Sequence, residues 1–164
     1  MLSLFYERTN DYFTMDMYQA KDRLALIYRT QNWNYYQSFG MSANIPFSIG
    51  GWLSSQVNAT VVNDRNRCDN FWDIPFDRKK WACMLGMQNH FSVGSSLGFD
   101  LDAMYRSSMI SGISDTKPVF TVNVGAQWNF LKDKATLSLT CSDLFDTMRM
   151  KVRNRYAGQH IDLN

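Results

Sequence analysis

The chain has 164 residues, 45% hydrophobic and 15% aromatic, enough to bury one core and so compatible with a single globular domain. Its 17 basic and 15 acidic residues nearly balance, so the charge implies no nucleic acid and no acidic surface as partner. No apolar run reaches the length of a transmembrane helix; barrel strands alternate and score low on hydropathy, so a transmembrane β-barrel stays open.

The N-terminal stretch MLSLFYERTNDYF lacks a basic segment followed by an apolar run and a small-residue cleavage site, so an export signal is expected outside the chain. Residues 2–18 read as a first strand, 19–22 as a polar connection and 23–47 as a second strand, both longer than a bilayer requires. Within 34–47, Tyr35, Phe39, Met41, Ala43, Ile45 and Phe47 fall on one face, opposite Asn34, Tyr36, Ser38, Gly40, Ser42 and Asn44. That two-residue period is a strand's, and helical spacing does not fit.

After a tight turn at 48–51, a third strand over 51–63 sets Leu53, Val57, Ala59 and Val61 against Ser54, Gln56, Asn58 and Thr60. Trp52 falls on the polar side, where it is expected to pack into a lumen. Residues 64–78, DRNRCDNFWDIPFDR, read as a long loop whose charges and Phe71, Trp72 and Phe76 suit sugar or peptide contact, or packing upon itself. Strands follow at 79–92 and 96–109 with a tight turn at 93–96, then a second long loop at 110–118, a strand at 119–131, a tight turn at 131–134 and a last strand from Ala135. Tight turns on one side and longer loops on the other are the wiring of an outer-membrane barrel.

The apolar runs are bracketed by aromatics: Trp81 and Phe91 are ten residues apart, as are Phe120 and Phe130, while Tyr35 and Phe47 are twelve apart. Ten residues at about 3.4 Å, tilted by about 40°, rise about 26 Å, which is close to the apolar band between aromatic girdles. The expected fold class is therefore all-β, an antiparallel up-and-down transmembrane β-barrel segment of about seven passes, with 1–164 as one partial barrel domain. Tyr35, Phe47, Trp81, Phe91, Tyr105, Phe120 and Phe130 are the expected lipid-interface aromatics.

Asp100, Asp102 and Arg106 share the polar side of one strand, and could be a paired acid site or calcium ligands. A hydrated lumen wall accounts for them better, since lipid would penalise a charge by about 2–4 kcal/mol at the bilayer midplane. Arg149, Lys151, Arg153 and Arg155 form a basic stripe at period two, read as a further lumen-facing or solvated strand face. His90 and His160 lack ligand spacing, and Cys68, Cys83 and Cys141 form no C-x-x-C pair, so no metal, cofactor or disulfide framework is expected. No phosphate loop, nucleophile elbow or triad spacing marks an enzyme.

Residues 130–147, FLKDKATLSLTCSDLFDT, resemble the penultimate-strand motif of TonB-dependent outer-membrane receptors, especially the large outer-membrane β-barrel family of Bacteroidetes. In that family an L-K-D-K-type turn leads into an alternating strand, an N-D-L-F-N-T-like element, a basic strand and a G-Q-like loop. Here these are residues 131–134, Ser142-Asp143-Leu144-Phe145-Asp146-Thr147, residues 149–155 and Gly158-Gln159, with Ser142 where the family usually has Asn. The resemblance implies the C-terminal barrel portion of a nutrient-uptake receptor of about 22 strands in the bacterial outer membrane. Its implied partners are membrane lipid, the rest of its own barrel and plug, the TonB energy-coupling machinery and a surface lipoprotein. No plug segment and no final aromatic-ended strand are recognised within the chain. Two other readings are carried: a small self-sufficient outer-membrane barrel, including a lipid-modifying enzyme, and a soluble β-sandwich or calyx for an apolar ligand.

Overall fold

The computed structural model describes residues 1–20, 25–71, 74–132, 134–148, 152–154 and 161–163. Its strands are β1 (Leu2–Gln19), β2 (Leu26–Ile49), β3 (Leu53–Phe71), β4 (Ile74–Val93), β5 (Leu97–Arg106), β6 (Ile110–Ser111), β7 (Ser114–Thr116), β8 (Val119–Phe130), β9 (Ala135–Cys141), β10 (Val152–Asn154) and β11 (Ile161–Leu163). Seven of them form one antiparallel up-and-down sheet in the order β1-β2-β3-β4-β5-β8-β9, open at β1 and β9. The short β11, β10, β7 and β6 form a second sheet in that order.

At one end of the main sheet the turns are tight, and their chemistry is local. Ile49 pairs with Leu53 and Val93 with Leu97, leaving three-residue loops that begin at Gly50 (φ 54°) and Gly94 (φ 63°), where a positive φ favours glycine. The third turn joins Phe130 to Ala135 with Leu131 and Lys132 both in the left-handed region.

The other end departs from the expected loops. Residues 64–71 and 74–78 are strand: β3 and β4 stay in register from Leu53–Phe91 through Cys68–Phe76, with a shift before Phe71–Ile74. Polar residues hold this hairpin because their charges pair across it, Arg65 giving Asp77 two hydrogen bonds of 2.8 and 2.6 Å. Residues 110–118 likewise contain the small β6–β7 hairpin instead of an unstructured loop. The two ends thus differ in strand extension more than in loop length. The 18 residues of β1 and 24 of β2 also run beyond the shorter strands, as their length in the sequence requires.

A hydrophobic core gathers at the extended end. Trp33, wholly buried, packs with Cys68, Phe71, Phe76 and Ile113, with Tyr12 against it. Strict alternation would put Trp33 on the face of Tyr35, yet it lies against Phe76, which is in phase with the opposite face. The break coincides with Asp11, which has φ 51° and drops out of the ladder between the Asn10–Tyr35 and Tyr12–Trp33 pairs. Cys68, Cys83 and Cys141 remain thiols.

After β9 the chain follows the edge of β8 irregularly. Leu144 N–H donates to the Val122 carbonyl at 2.8 Å, and the Thr147 hydroxyl donates to the Phe120 carbonyl. Asp143 (φ 50°) is the pivot: its carboxylate accepts from Thr147 N–H at 3.0 Å and Met148 N–H at 2.9 Å, and its own N–H donates to Asn123 Oδ1 at 2.9 Å. The S-D-L-F-D-T element is therefore a capped bend built on a left-handed aspartate.

Candidate functional site

The functional surfaces are the two faces of the seven-stranded sheet, because paired residues across an antiparallel ladder share a face. On the first, Ala43, Ala59, Leu85, Tyr105 and Phe120 lie side by side, as do Ile45, Val57, Met87, Ala103 and Val122. The row of Ile49, Leu53, Phe91, Phe99, Ala126 and Leu139 follows towards the tight turns. No second layer covers this face: Leu85 is 47% exposed, Phe99 42% and Leu139 73%. A sandwich would bury these residues, and their exposure excludes that arrangement for the described chain.

Three polar side chains interrupt the apolar face, and all are buried. The Ser55 hydroxyl donates to Asn89 Oδ1 at 2.8 Å, and Asn89 Nδ2 donates to the Leu101 carbonyl at 3.1 Å. Asn63 lies in register between Phe39 and Trp81, whose rings meet edge to face at 5.3 Å. No charged side chain stands in these apolar rows.

The limits of the band are visible in the register. On β4 it runs from Trp81 to Phe91 and on β8 from Phe120 to Phe130. Phe120 is level with Leu85 and Ala126 with Phe91, so both limits on β8 lie four residues lower than those on β4. Two boundaries shifting together is what tilted strands crossing one layer require. Trp52 joins this boundary: its ring stacks on Phe91 at 6.2 Å, so the turn swings it to the apolar side and away from the lumen position expected of it. Phe47 pairs with Ser55 near the same end.

Above Tyr6, Phe39, Asn63 and Trp81 the same face changes character at once. The next row is Arg8, Gln37, Arg65 and Lys79, and the one beyond is Asn10, Tyr35, Arg67 and Asp77. Tyr35, expected at the lipid interface, carries the Arg8 guanidinium 4.2 Å from its ring centroid and the Arg65 guanidinium at 5.8 Å. The Arg65 hydrogen bonds hold the Asp77 carboxyl below the usual carboxylate range.

The opposite face is polar. Asp100 and Asp102 of β5 stand here; Asp100 Oδ1 is 2.7 Å from His90 Nδ1. Ser54, Gln56, Gln88, His90, Asp100 and Asp102 line an open hollow of about 260 Å³. Arg106, in phase with them, has its Nε buried with no hydrogen-bond partner among the described residues. Arg149 and Lys151 lie outside the described residues. Arg153 is on β10, paired in register with Asp115 and Asp162 in the smaller sheet.

Sequence reasoning missed what closes over this face at the extended end. Asp115 of the β6–β7 hairpin accepts from Arg78 at 2.6 Å and Lys80 at 2.9 Å, and Arg78 also donates to the Ile113 carbonyl at 3.0 Å. Burial alone would raise the Asp115 pKa, but hydrogen bonds from Arg78 and Lys80 outweigh it and hold the carboxyl low. A hollow of about 360 Å³ beside the hairpin is lined by Glu7, Tyr12, Tyr36, Asp64 and Asn66. The signal available in the sequence was Asp115 within an otherwise polar run, too weak to assign a partner. Among the described residues no group of three or more His, Cys, Asp or Glu side chains is placed to hold a metal.

A protein-family model described as an outer membrane protein beta-barrel family matches residues 1–164. No curated protein and no solved structure matches the chain.

Proposed function

The chain belongs to that outer membrane protein β-barrel family along its whole length, and on this premise we propose that it forms part of the lipid-contacting wall of a receptor-type barrel for nutrient uptake. The observation that carries the proposal is the two-faced sheet: an uncovered apolar band with paired aromatic limits, backed by a face of amides, carboxylates and His90. Hydrocarbon on one side and water on the other satisfy both faces at once. Asp100, Asp102 and Arg106 then belong to the hydrated lumen, and Phe47, Trp81, Phe91, Phe120 and Phe130 to the lipid interface.

The receptor-type assignment is supported by the resemblance of residues 130–147 and by the open edges at β1 and β9, which in lipid need further strands to pair with. In this reading those strands and a plug belong to the same barrel, TonB-type machinery supplies energy, and a surface lipoprotein assists capture. The chain itself takes no catalytic step and needs no cofactor.

Met87→Arg and Gln88→Arg test the assignment of faces. The first places a charge mid-band on the apolar face, at an expected cost of about 2–4 kcal/mol, and the second places one towards water at almost none. Urea titration of the protein folded into phosphatidylcholine vesicles reads the difference. Equal sensitivity at the two neighbours would overturn the proposal.

A further inference from the structure

The basic rows above the band have no role in the reading so far. Arg8 of β1, Arg65 and Arg67 of β3 and Lys79 of β4 lie on the face of the apolar band and directly beyond its aromatic limit, with Gln37 and Tyr35 of β2 between them. Only Arg65 and Arg67 have carboxylate partners, Asp77 at 2.6 Å and Asp69 at 3.0 Å; among the described residues Arg8 and Lys79 have none. Four cations against two carboxylates leave this patch positive. Tyr35 gathers Arg8 and Arg65 beside its ring, bringing like charges together that only one acid offsets.

Height decides what this charge would meet. Two residues along a strand tilted by about 40° rise about 5 Å, so the first basic row stands about 5 Å beyond the aromatic limit and the second about 10 Å. The headgroup layer extends about 5–7 Å outside the hydrocarbon, the height of the first row. A cation there that faces away from the lumen has lipid headgroups as its neighbours.

Resting on the wall reading above, we propose that Arg8, Lys79 and the Tyr35-braced Arg65 form a binding site for phosphate-bearing lipid headgroups at the extended end of the strands. Arg8 and Lys79 supply unpaired charge at either side of the site. Arg65, oriented by Asp77 and Tyr35, offers its remaining N–H groups between them. Asp77 keeps the site from being a plain cationic surface, because it fixes the direction of one guanidinium.

The test uses the barrel that contains this chain, folded into vesicles of phosphatidylcholine alone or of equal parts phosphatidylcholine and phosphatidylglycerol. Tryptophan quenching by brominated phosphatidylglycerol is compared with that by brominated phosphatidylcholine. The expected result is a preference for the anionic lipid that falls about fivefold for each side chain removed in Arg8→Gln and Lys79→Gln. It persists in Lys132→Gln with Lys134→Gln, which removes the same charge at the opposite end. Lys79→Arg keeps the preference and guards against a folding defect.

A preference that is absent, or unchanged in the Arg8 and Lys79 variants, overturns the site while insertion itself leaves the wall reading intact. Loss of the preference on adding inorganic phosphate would make it a free-phosphate site and overturn the lipid assignment. Quenching by neither brominated lipid in the inserted barrel would overturn the wall reading, and this proposal with it.

Discussion

Asp143 shows how a recognisable motif can be explained by backbone conformation. At φ 50° the position favours Gly, Asn or Asp, and the carboxylate turns back on two backbone N–H groups. Asp143→Ala removes both acceptors and strains the backbone, with an expected loss of about 1–3 kcal/mol, read as a lower urea midpoint. Asp143→Asn, which keeps an acceptor and tolerates the conformation, should recover most of it; equal loss in both variants would show that the bend is not what the side chain sustains. The same scale holds the residues that alternation described only in part. Trp52 was assigned from its strand phase, but it belongs to a turn, where the period of two no longer governs direction. Tyr35 obeyed the period, but the charges that surround it come from β1 and β3, distant in sequence. Gly40 was legible as polar-face filler, yet not as the surface for Phe5, whose ring lies where a Cβ would reach 2.7 Å.

The seven long strands follow from the hydrophobic period, and the tight turns at 50, 94 and 131 from their local chemistry. Period-two reading failed at 64–78, where charged residues suggested a loop. Hydropathy cannot register that Arg65 faces Asp77 across the hairpin, since opposite charges in register stabilise a strand pair that each alone would weaken. The β6–β7 hairpin was illegible for a related reason: its placement rests on Asp115 meeting Arg78 and Lys80, and on Ile113 meeting Trp33. Its pH dependence follows from the sign of the Asp115 shift. Because the folded pKa is depressed, the latch contributes fully above the unfolded value of about 3.9 and is lost as pH falls through the lower folded value. Amide hydrogen exchange at residues 110–116 should therefore accelerate below about pH 4 relative to the β4 amides. Asp115→Asn should show the faster exchange already at neutral pH, and a wild-type profile that tracks β4 throughout would remove the latch.

At the scale of the molecule the decisive feature is the odd number of strands in an open sheet. In an up-and-down sheet of seven, β1 and β9 run in the same direction, so joining them would make one parallel pair among antiparallel ones. Seven strands also fall below the eight of the smallest common barrels, whose interiors side chains already fill. Here the polar face must further accommodate the β6–β7 hairpin and the Trp33 core. On the proposed receptor-type reading, pairing with strands outside this sheet avoids the parallel pair, the narrow width and the crowded interior that self-closure would bring. Cysteines at Leu4→Cys and Leu139→Cys, with Cys68, Cys83 and Cys141 changed to Ser, separate the two arrangements in the membrane-inserted protein. An intrachain bridge requires Cα atoms within about 7 Å, which only β1 lying against β9 provides. Peptide mapping after oxidation should find no 4–139 bridge; finding one would establish a self-closed small barrel and end the case for a wall shared with other strands.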